Sequence, residues 1–135
     1  MSNPFGAPIY PEFAEEFLEL LFRLMSLVFF IDKDYRKNIK EFDGRYLFRS
    51  MDNKIHVAAI FKKNRLKIYE KEIDGTNVRV TFRNAGALMS FLLSPKPDIP
   101  DLILRQDISI DGNLNYLYKF AFMAKRLQLM ATGER

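Results

Sequence analysis

The sequence of 135 residues contains no cysteine, no tryptophan and a single histidine, His56. Without cysteine the chain can form neither disulfides nor iron–sulfur clusters, and it has no thiol nucleophile. One histidine leaves little material for a His-rich metal site or for a Ser/His/Asp triad. We therefore expect no catalytic group, metal ion or cofactor, and the composition favours a soluble binding module over an enzyme.

Long apolar runs and sorting signals are also scarce. The most apolar stretch, residues 24–31, is much shorter than the roughly 20 residues that span a bilayer. Residues 1–11 contain three prolines and lack the basic start of a secretory signal, so they predict an extended N-terminal arm. A cytoplasmic location is the expectation that follows.

Aromatic residues and methionine are abundant, with thirteen Phe, six Tyr and six Met. Flexible methionine beside broad aromatic rings suits an adaptable apolar pocket, although a core rich in Phe would give the same composition. The net charge of +4 is compatible with nucleic acid or anionic lipid as a partner and is specific for neither.

Residues 12–31 predict a long helix that carries two apolar stripes. An apolar face about 100° wide is enough for a helix that packs on one side only. We therefore expect the surplus face to meet a second layer of the domain, a ligand, a membrane or another copy of the chain. One stripe repeats at spacings of four and three residues and the other runs beside it: Phe13, Phe17, Leu20, Leu24, Leu27 and Ile31; Leu18, Phe22, Met25 and Phe29.

The rest of the chain alternates between strand and helix periodicity. Four strand-like runs with short turns follow a short polar helix, and we interpret these runs as an antiparallel meander. Helices gathered on one side of an antiparallel sheet make a two-layer α+β domain. The elements in order are a helix over 32–42, strands near 45–51, 55–61, 66–69 and 78–82, a helix over 85–93, a strand over 107–111 and a helix over 114–130.

Candidate polar sites are few. His56 lies between apolar neighbours in a strand, and we interpret it as a structural or surface histidine. The acidic residues Glu12, Glu15, Glu16 and Glu19 could bind a metal at helical spacing, but such sites usually add histidine and none is near. We expect them instead to form solvated first turns that complement the helix dipole.

Residues 33–71 are basic, with twelve Lys and Arg against five acidic residues, and aromatic residues lie among them. Such a pattern on a sheet can bind single-stranded nucleic acid. The RNA-binding aromatic signature and the glycine-rich clamp are both missing, so nucleic acid is the disfavoured partner. Anionic lipid headgroups, a phosphate-bearing cofactor and a simply solvated sheet face remain the alternatives.

The second half of the sequence resembles the sterol carrier protein type two (SCP-2) family. The likeness covers about residues 42–130 and rests on the order of elements. A strand at 78–82 precedes a short apolar helix at 88–93, a strand ending in a glycine–asparagine pair at 112–113, and an amphipathic C-terminal helix. Family members usually have a glycine after the short helix, where this chain has SPKP at 94–97, so the loop shape there is not carried over.

The resemblance implies an antiparallel or mixed five-stranded sheet with helices packed on one side and an apolar tunnel between the layers. Family members carry sterols, fatty acyl chains, phospholipids or isoprenoid quinone precursors. It therefore implies non-catalytic binding or transfer of such a ligand by a single SCP-2-like domain, residues 12–132, with an added apolar N-terminal helix. The residues that we predict, by periodicity, to line the tunnel are Phe91, Leu92, Leu102, Ile108, Ile110, Leu117, Phe120 and Met123.

A second hypothesis concerns protein contacts. The two apolar stripes of the first helix could make the chain an interaction module that forms a homodimer through residues 13–31. The partners that the sequence suggests are thus a lipid or other apolar small molecule, an anionic membrane surface and a second copy of the chain.

Overall fold

The computed structural model describes residues 9–133. The extended arm predicted for residues 1–11 lies outside the described residues except for its last three, and the last of these already begins a helix. The elements are α1 (Pro11–Ile31), α2 (Lys33–Arg36), a 3-10 turn (Lys37–Ile39), β1 (Gly44–Ser50), β2 (His56–Lys62), β3 (Arg65–Tyr69), β4 (Val78–Phe82), α3 (Ala85–Leu93), α4 (Ile99–Leu104), β5 (Ile108–Gly112) and α5 (Leu114–Ala131).

Both ends of α1 are fixed by local chemistry. Pro11 occupies the first turn, where a missing backbone N–H costs nothing. At the other end, Asp32 leaves the helical conformation, and its side chain caps α2. The Arg36 guanidinium donates hydrogen bonds to the carbonyl oxygens of Phe29 and Phe30, both at 3.1 Å, so a cation satisfies the free C-terminal carbonyls of α1.

The five strands form one mixed sheet in the order β3-β2-β1-β4-β5. Strands β1, β2 and β3 form the two antiparallel hairpins that the sequence predicted. The predicted meander is wrong for β4, which does not follow β3 but crosses to the far side of β1 and pairs with it in parallel. Strand β5 then adds to β4 in antiparallel orientation.

Residues 70–77 make this crossover, and contacts with β1 hold them in place. The Asn77 side chain accepts a hydrogen bond from the backbone N–H of Arg45 at 2.8 Å, and the Asn77 N–H donates to the Arg45 carbonyl at 2.8 Å. The Arg45 guanidinium also donates to the Asp74 carbonyl. The crossover places β4, whose alternate residues are fully apolar, in the sheet interior and leaves the charged β3 at the edge, where exposed charge is tolerated.

Helices α1, α3 and α5 pack on one face of the sheet around a cluster of aromatic rings. The ring of Phe22 in α1 lies 5.8 Å from that of Phe48 in β1 and 5.3 Å from that of Phe120 in α5. Helix α3 joins through Phe91, whose ring lies 5.6 Å from that of Phe82 in β4. The structure is thus the two-layer α+β fold that the sequence predicted.

Two buried tyrosines tie the layers together through their hydroxyl groups. The Tyr35 hydroxyl donates to the carbonyl oxygen of Met123 at 2.8 Å, and that of Tyr46 donates to the carbonyl of Tyr116 at 2.7 Å. Burial raises the pKa of both phenols far above their ordinary value, so they act as neutral donors.

The pair at 112–113 has a structural role at the junction of β5 and α5. Gly112 lies beside Val78 with a φ of +112°, and a Cβ there would collide with the backbone of Asn77. The side chain of Asn113 accepts a hydrogen bond from the backbone N–H of Asn115 at 2.9 Å and so caps α5. Within residues 9–133, no helix combines the length and the apolar character needed to cross a membrane.

Candidate functional site

An apolar cavity of about 240 Å³ lies between α1, α3 and α5 and is open to solvent on one side. The loop that follows α3 closes one side through Ser94, Pro95 and Pro97. This is the SPKP segment that stands where the SCP-2 family usually has glycine. The helix residues that line the cavity are Phe17, Leu21 and Leu24 of α1, Phe91, Leu92 and Leu93 of α3, and Phe120, Ala121, Ala124, Lys125, Leu127, Gln128 and Ala131 of α5.

Two buried aromatic rings form the floor of the cavity towards the sheet. The rings of Phe91 and Phe120 are nearly parallel, with centroids 6.2 Å apart. Behind them, the ring centroid of Phe120 lies 4.9 Å from that of Phe48 in β1, and the ring of Phe91 packs on that of Phe82 in β4. These rings lie between the cavity and the sheet and separate the cavity from the aromatic core.

Small residues on α5 create the space. Ala121, Ala124 and Ala131 line the cavity, whereas the face of α5 directed at the sheet carries the larger Phe120 and Leu127. Sequence reasoning missed these alanines and the three α1 residues. A run of alanines at helical spacing beside a Phe-rich face was the available signal.

The rim of the cavity is polar. Lys125, the one charged residue among those that line the cavity, is exposed on α5, and Gln128 lies one turn further along. A Lys ammonium is a compact, mobile charge on a flexible stem, which can follow a polar group at a cavity mouth. The site therefore combines apolar walls with a few polar groups at its edge.

The eight residues predicted to line a tunnel lie at different depths. Phe91, Leu92 and Phe120 line the cavity described above. The other five belong to the hydrophobic core around the cavity, and each is either buried in that core or packed against it. That these eight residues contact a ligand, and that a tunnel runs between the layers, are still predictions. The five in the core are Ile108, Leu117 and Met123, which are buried, and Leu102 and Ile110, which are partly buried.

The two stripes of α1 have different surroundings. The stripe of Leu18, Phe22, Met25 and Phe29, here called the inner stripe, is buried against the sheet and α5. The other, here called the outer stripe, faces away from the sheet and is mostly exposed. It borders the cavity, because two of its members also line it. The outer stripe consists of Phe13, Phe17, Leu20, Leu24, Leu27 and Ile31.

Three carboxylates meet where α1 passes the end of β3. Oxygens of Glu15, Glu19 and Glu70 all lie within 4.8 Å of one another, a spacing at which one cation could be held. Glu15 also accepts a hydrogen bond from the backbone N–H of His56 at 2.9 Å. The expectation of solvated first turns is therefore wrong for Glu19, which is only 6% exposed, and for half-buried Glu15.

The electrostatics of this cluster follow from its burial. Desolvation raises the pKa of both Glu15 and Glu19, and the nearby Glu70 carboxylate raises them further. Arg23 lowers the pKa of Glu19 only in part, because its guanidinium nitrogen stays 3.9 Å from the carboxylate. Both groups consequently hold protons more readily than an exposed glutamate does.

His56 and the basic segment are absent from the cavity lining: His56 begins β2, and the basic segment runs from α2 and the 3-10 turn through strands β1 to β3. The His56 ring nitrogen lies 3.4 Å from Glu72, which also pairs with Arg49 at 3.4 Å. A shallow groove of about 450 Å³ runs between the C-terminal half of α1 and the β2–β3 turn, with Arg36 and Lys67 among its walls. Binding of an anionic headgroup by the basic segment stays a prediction.

No protein-family model matches the chain, and no curated protein sequence matches it. Solved structures do. The UbiJ-SCP2 ubiquinone synthesis protein aligns over 91% of this chain and 97% of its own, with a TM-score of 0.61 and 11% identity. Sterol carrier protein domain 2 of Helicoverpa armigera aligns over 90% of this chain and 94% of its own, with a TM-score of 0.59 and 15% identity.

A larger protein contains a similar unit. The stereoselective inverting sec-alkylsulfatase Pisa1 from Pseudomonas sp. aligns over 65% of this chain with a TM-score of 0.56 and 17% identity. The alignment spans 14% of the sulfatase chain, so the likeness concerns one part of that enzyme. Identities this low show the fold alone. On these comparisons the chain has an SCP-2-like fold, as the pattern in its sequence predicted.

Proposed function

We propose that the protein binds an apolar or amphipathic small molecule, such as a lipid, in the cavity between α1, α3 and α5 without transforming it. The observation that carries this proposal is an apolar cavity of about 240 Å³ in the helical layer of an SCP-2-like fold. Small-molecule sites are concave and mostly apolar, with a few placed polar groups. The cavity has this character.

The size of the cavity restricts how a ligand would bind. Typical sites for drug-sized ligands begin at about 300 Å³, which is slightly more than this cavity offers. We infer that the cavity holds the apolar end of a larger molecule, whose remainder leaves between the helices. Lys125 and Gln128 at the rim would then lie beside its polar end, and the Lys125 charge favours an anionic group.

The names of two similar structures agree with this ligand class. One is a ubiquinone synthesis protein and the other a sterol carrier protein domain. These names concern apolar molecules, and they support the proposal by analogy of fold.

The first experiment is organic extraction of protein purified without detergent, followed by mass spectrometry of the extract. We expect a bound lipid or quinone precursor in stoichiometric amount. If the extract is empty, and remains empty after incubation with a mixed lipid pool, the proposal is wrong.

A variant locates the site. Ala124→Leu adds three carbon atoms inside the cavity, and we expect it to weaken binding of a fluorescent fatty acid at least ~10-fold, because the added group occupies the ligand's volume. Asn115→Leu places the same side chain on the exposed start of α5 and should leave the affinity unchanged. Equal affinities for the two variants would show that the ligand binds elsewhere.

A further inference from the structure

We propose that the outer stripe of α1 is a self-association surface, which pairs with the outer stripe of a second copy in antiparallel orientation. The proposal does not depend on the ligand. None of the six residues of the stripe is charged, and five of them are between 44% and 67% exposed. A face this apolar is unusual on the surface of a monomer.

The spacing of the stripe indicates a helical partner. Its members recur at intervals of 4, 3, 4, 3 and 4 residues, which is the repeat that keeps a seam facing another helix in a coiled coil. Helix α1 has 21 residues and is therefore about 31 Å long, enough for three heptads. A flat membrane surface would not require this repeat.

The order of the intervals permits an antiparallel pair. The series reads the same in both directions, so a two-fold axis between Leu20 and Leu24 superimposes the stripe on itself. Antiparallel pairing about this axis puts Leu20 of one copy opposite Leu24 of the other. Such a contact is isologous and closed, which is the commonest symmetry of soluble oligomers. The two remaining pairs are Phe13 with Ile31 and Phe17 with Leu27.

The apolar area is sufficient for a dimer. Taking about 200 Å² for each large side chain, the five exposed members of the stripe present roughly 550 Å² on each copy. A pair that buries all of this surface removes about 1,100 Å² from solvent, just above the approximate threshold of 1,000 Å² for a specific interface.

Charges beside the stripe favour the antiparallel arrangement. Exposed Glu12 and Glu16 flank its N-terminal half, whereas its C-terminal end is followed by Lys33 and by Lys37, whose ammonium lies 3.4 Å from the Asp34 carboxylate. Antiparallel pairing brings the acidic turns of one copy towards the basic segment of the other, and parallel pairing would bring like charges together.

Glu12 and Glu16 argue against an anionic membrane as the occupant, because they would face its negative surface. Arg23, in the middle of the helix, has a partner in its own chain, since its guanidinium lies 3.9 Å from the Glu19 carboxylate. A second copy therefore satisfies both the apolar seam and its acidic flank.

Sedimentation over a wide range of protein concentration tests the association. We expect a reversible dimer whose dissociation constant rises at least ~100-fold in Leu20→Glu and in Leu27→Glu, because each change removes two buried leucines per dimer and buries charge. Neither residue lines the cavity, so fatty-acid binding should persist in both variants. Leu104→Glu, on the exposed side of α4, is the matched control and should dimerise like the unaltered chain.

Cross-linking tests the orientation, and the cysteine-free chain makes the result unambiguous. In the proposed dimer, position 13 of one copy lies beside position 31 of the other, while the two copies of position 13 are about 27 Å apart. Under mild oxidation of dilute protein, a mixture of Phe13→Cys and Ile31→Cys should give the mixed disulfide, and Phe13→Cys by itself should remain monomeric on a denaturing gel.

Other results would overturn the proposal. A disulfide between two Phe13→Cys chains would show parallel pairing. A chain that stays monomeric at high micromolar concentration and binds vesicles of anionic phospholipid would show that the outer stripe is a membrane surface. A monomer that binds no vesicles would exclude both occupants.

Discussion

The two stripes of α1 are built from the same residue types, yet one is core and the other is surface. The inner stripe packs on the sheet and on α5, whereas the outer stripe is mostly exposed and contributes Phe17 and Leu24 to the cavity wall. The difference shows that an apolar helix face in a sequence indicates that a packing partner is needed, but does not indicate which partner it is. In this chain the fold supplies a partner for one stripe, and the other borders the cavity and, we propose, pairs with a second copy.

The largest expected effect is on the inner stripe. Phe22 is fully buried and its ring contacts those of Phe48 and Phe120. We expect Phe22→Ala to lower the free energy of unfolding by about 3–5 kcal/mol, because it removes apolar area that folding buries and leaves a cavity that the sheet does not collapse to fill. Urea titration followed by circular dichroism measures this loss.

Leu20→Ala is the counterpart on the outer stripe. At concentrations where the chain is monomeric, we expect it to change the free energy of unfolding by less than ~0.5 kcal/mol, since exposed substitutions rarely do more. A loss as large as that of Phe22→Ala would break the comparison, because it would show that the outer stripe packs within its own chain.

Periodicity was sufficient to predict most of the elements and the α+β class. Helix α1 begins one residue before the predicted start, and the hairpins of β1, β2 and β3 lie where the alternation placed them. The position of β4 in the sheet could not be predicted from periodicity, because it depends on contacts between residues 70–77 and β1, which are distant in sequence. Spacing alone does not distinguish a tight turn from a crossover.

The cavity was predictable only in part. Phe91, Leu92 and Phe120 follow from the faces of α3 and α5, but the contribution of α1 depends on how closely three helices approach. Ala121 and Ala124 leave room between the helices, and such small residues do not stand out in a hydrophobic pattern. The burial of Glu19 was missed for a similar reason, since its carboxylate partner Glu70 comes from a distant strand end.

A smaller effect is expected at the junction of the inner stripe with α2 and α5. Tyr35 stacks on Phe29 at 4.7 Å, and its hydroxyl donates to the Met123 carbonyl at 2.8 Å. Tyr35→Phe keeps the ring and removes the donor, so it should cost about 1 kcal/mol through the loss of one buried hydrogen bond. Tyr118→Phe, on the exposed side of α5, is the control and should be neutral in thermal unfolding. If both variants unfold at the same temperature, the hydroxyl contributes nothing to the inner stripe.

The smallest effect concerns the polar edge of the inner stripe. Burial and then the charges of Glu70 and Glu15 raise the pKa of Glu19, so the folded chain binds its proton more tightly than the unfolded chain does. Its ionisation therefore lowers stability as pH rises above about 4.5, the ordinary pKa of a glutamate.

We expect Glu19→Gln to raise the free energy of unfolding at neutral pH by about 1 kcal/mol or less and to have little effect below pH 4.5. Thermal unfolding followed from acidic to neutral pH measures the effect, and Glu16→Gln, at an exposed position on the same helix, is the control for the amide substitution itself. Destabilisation by Glu19→Gln at neutral pH would mean that favourable contacts hold the ionised carboxylate, and a cation bound by the three glutamates would then be the explanation to test.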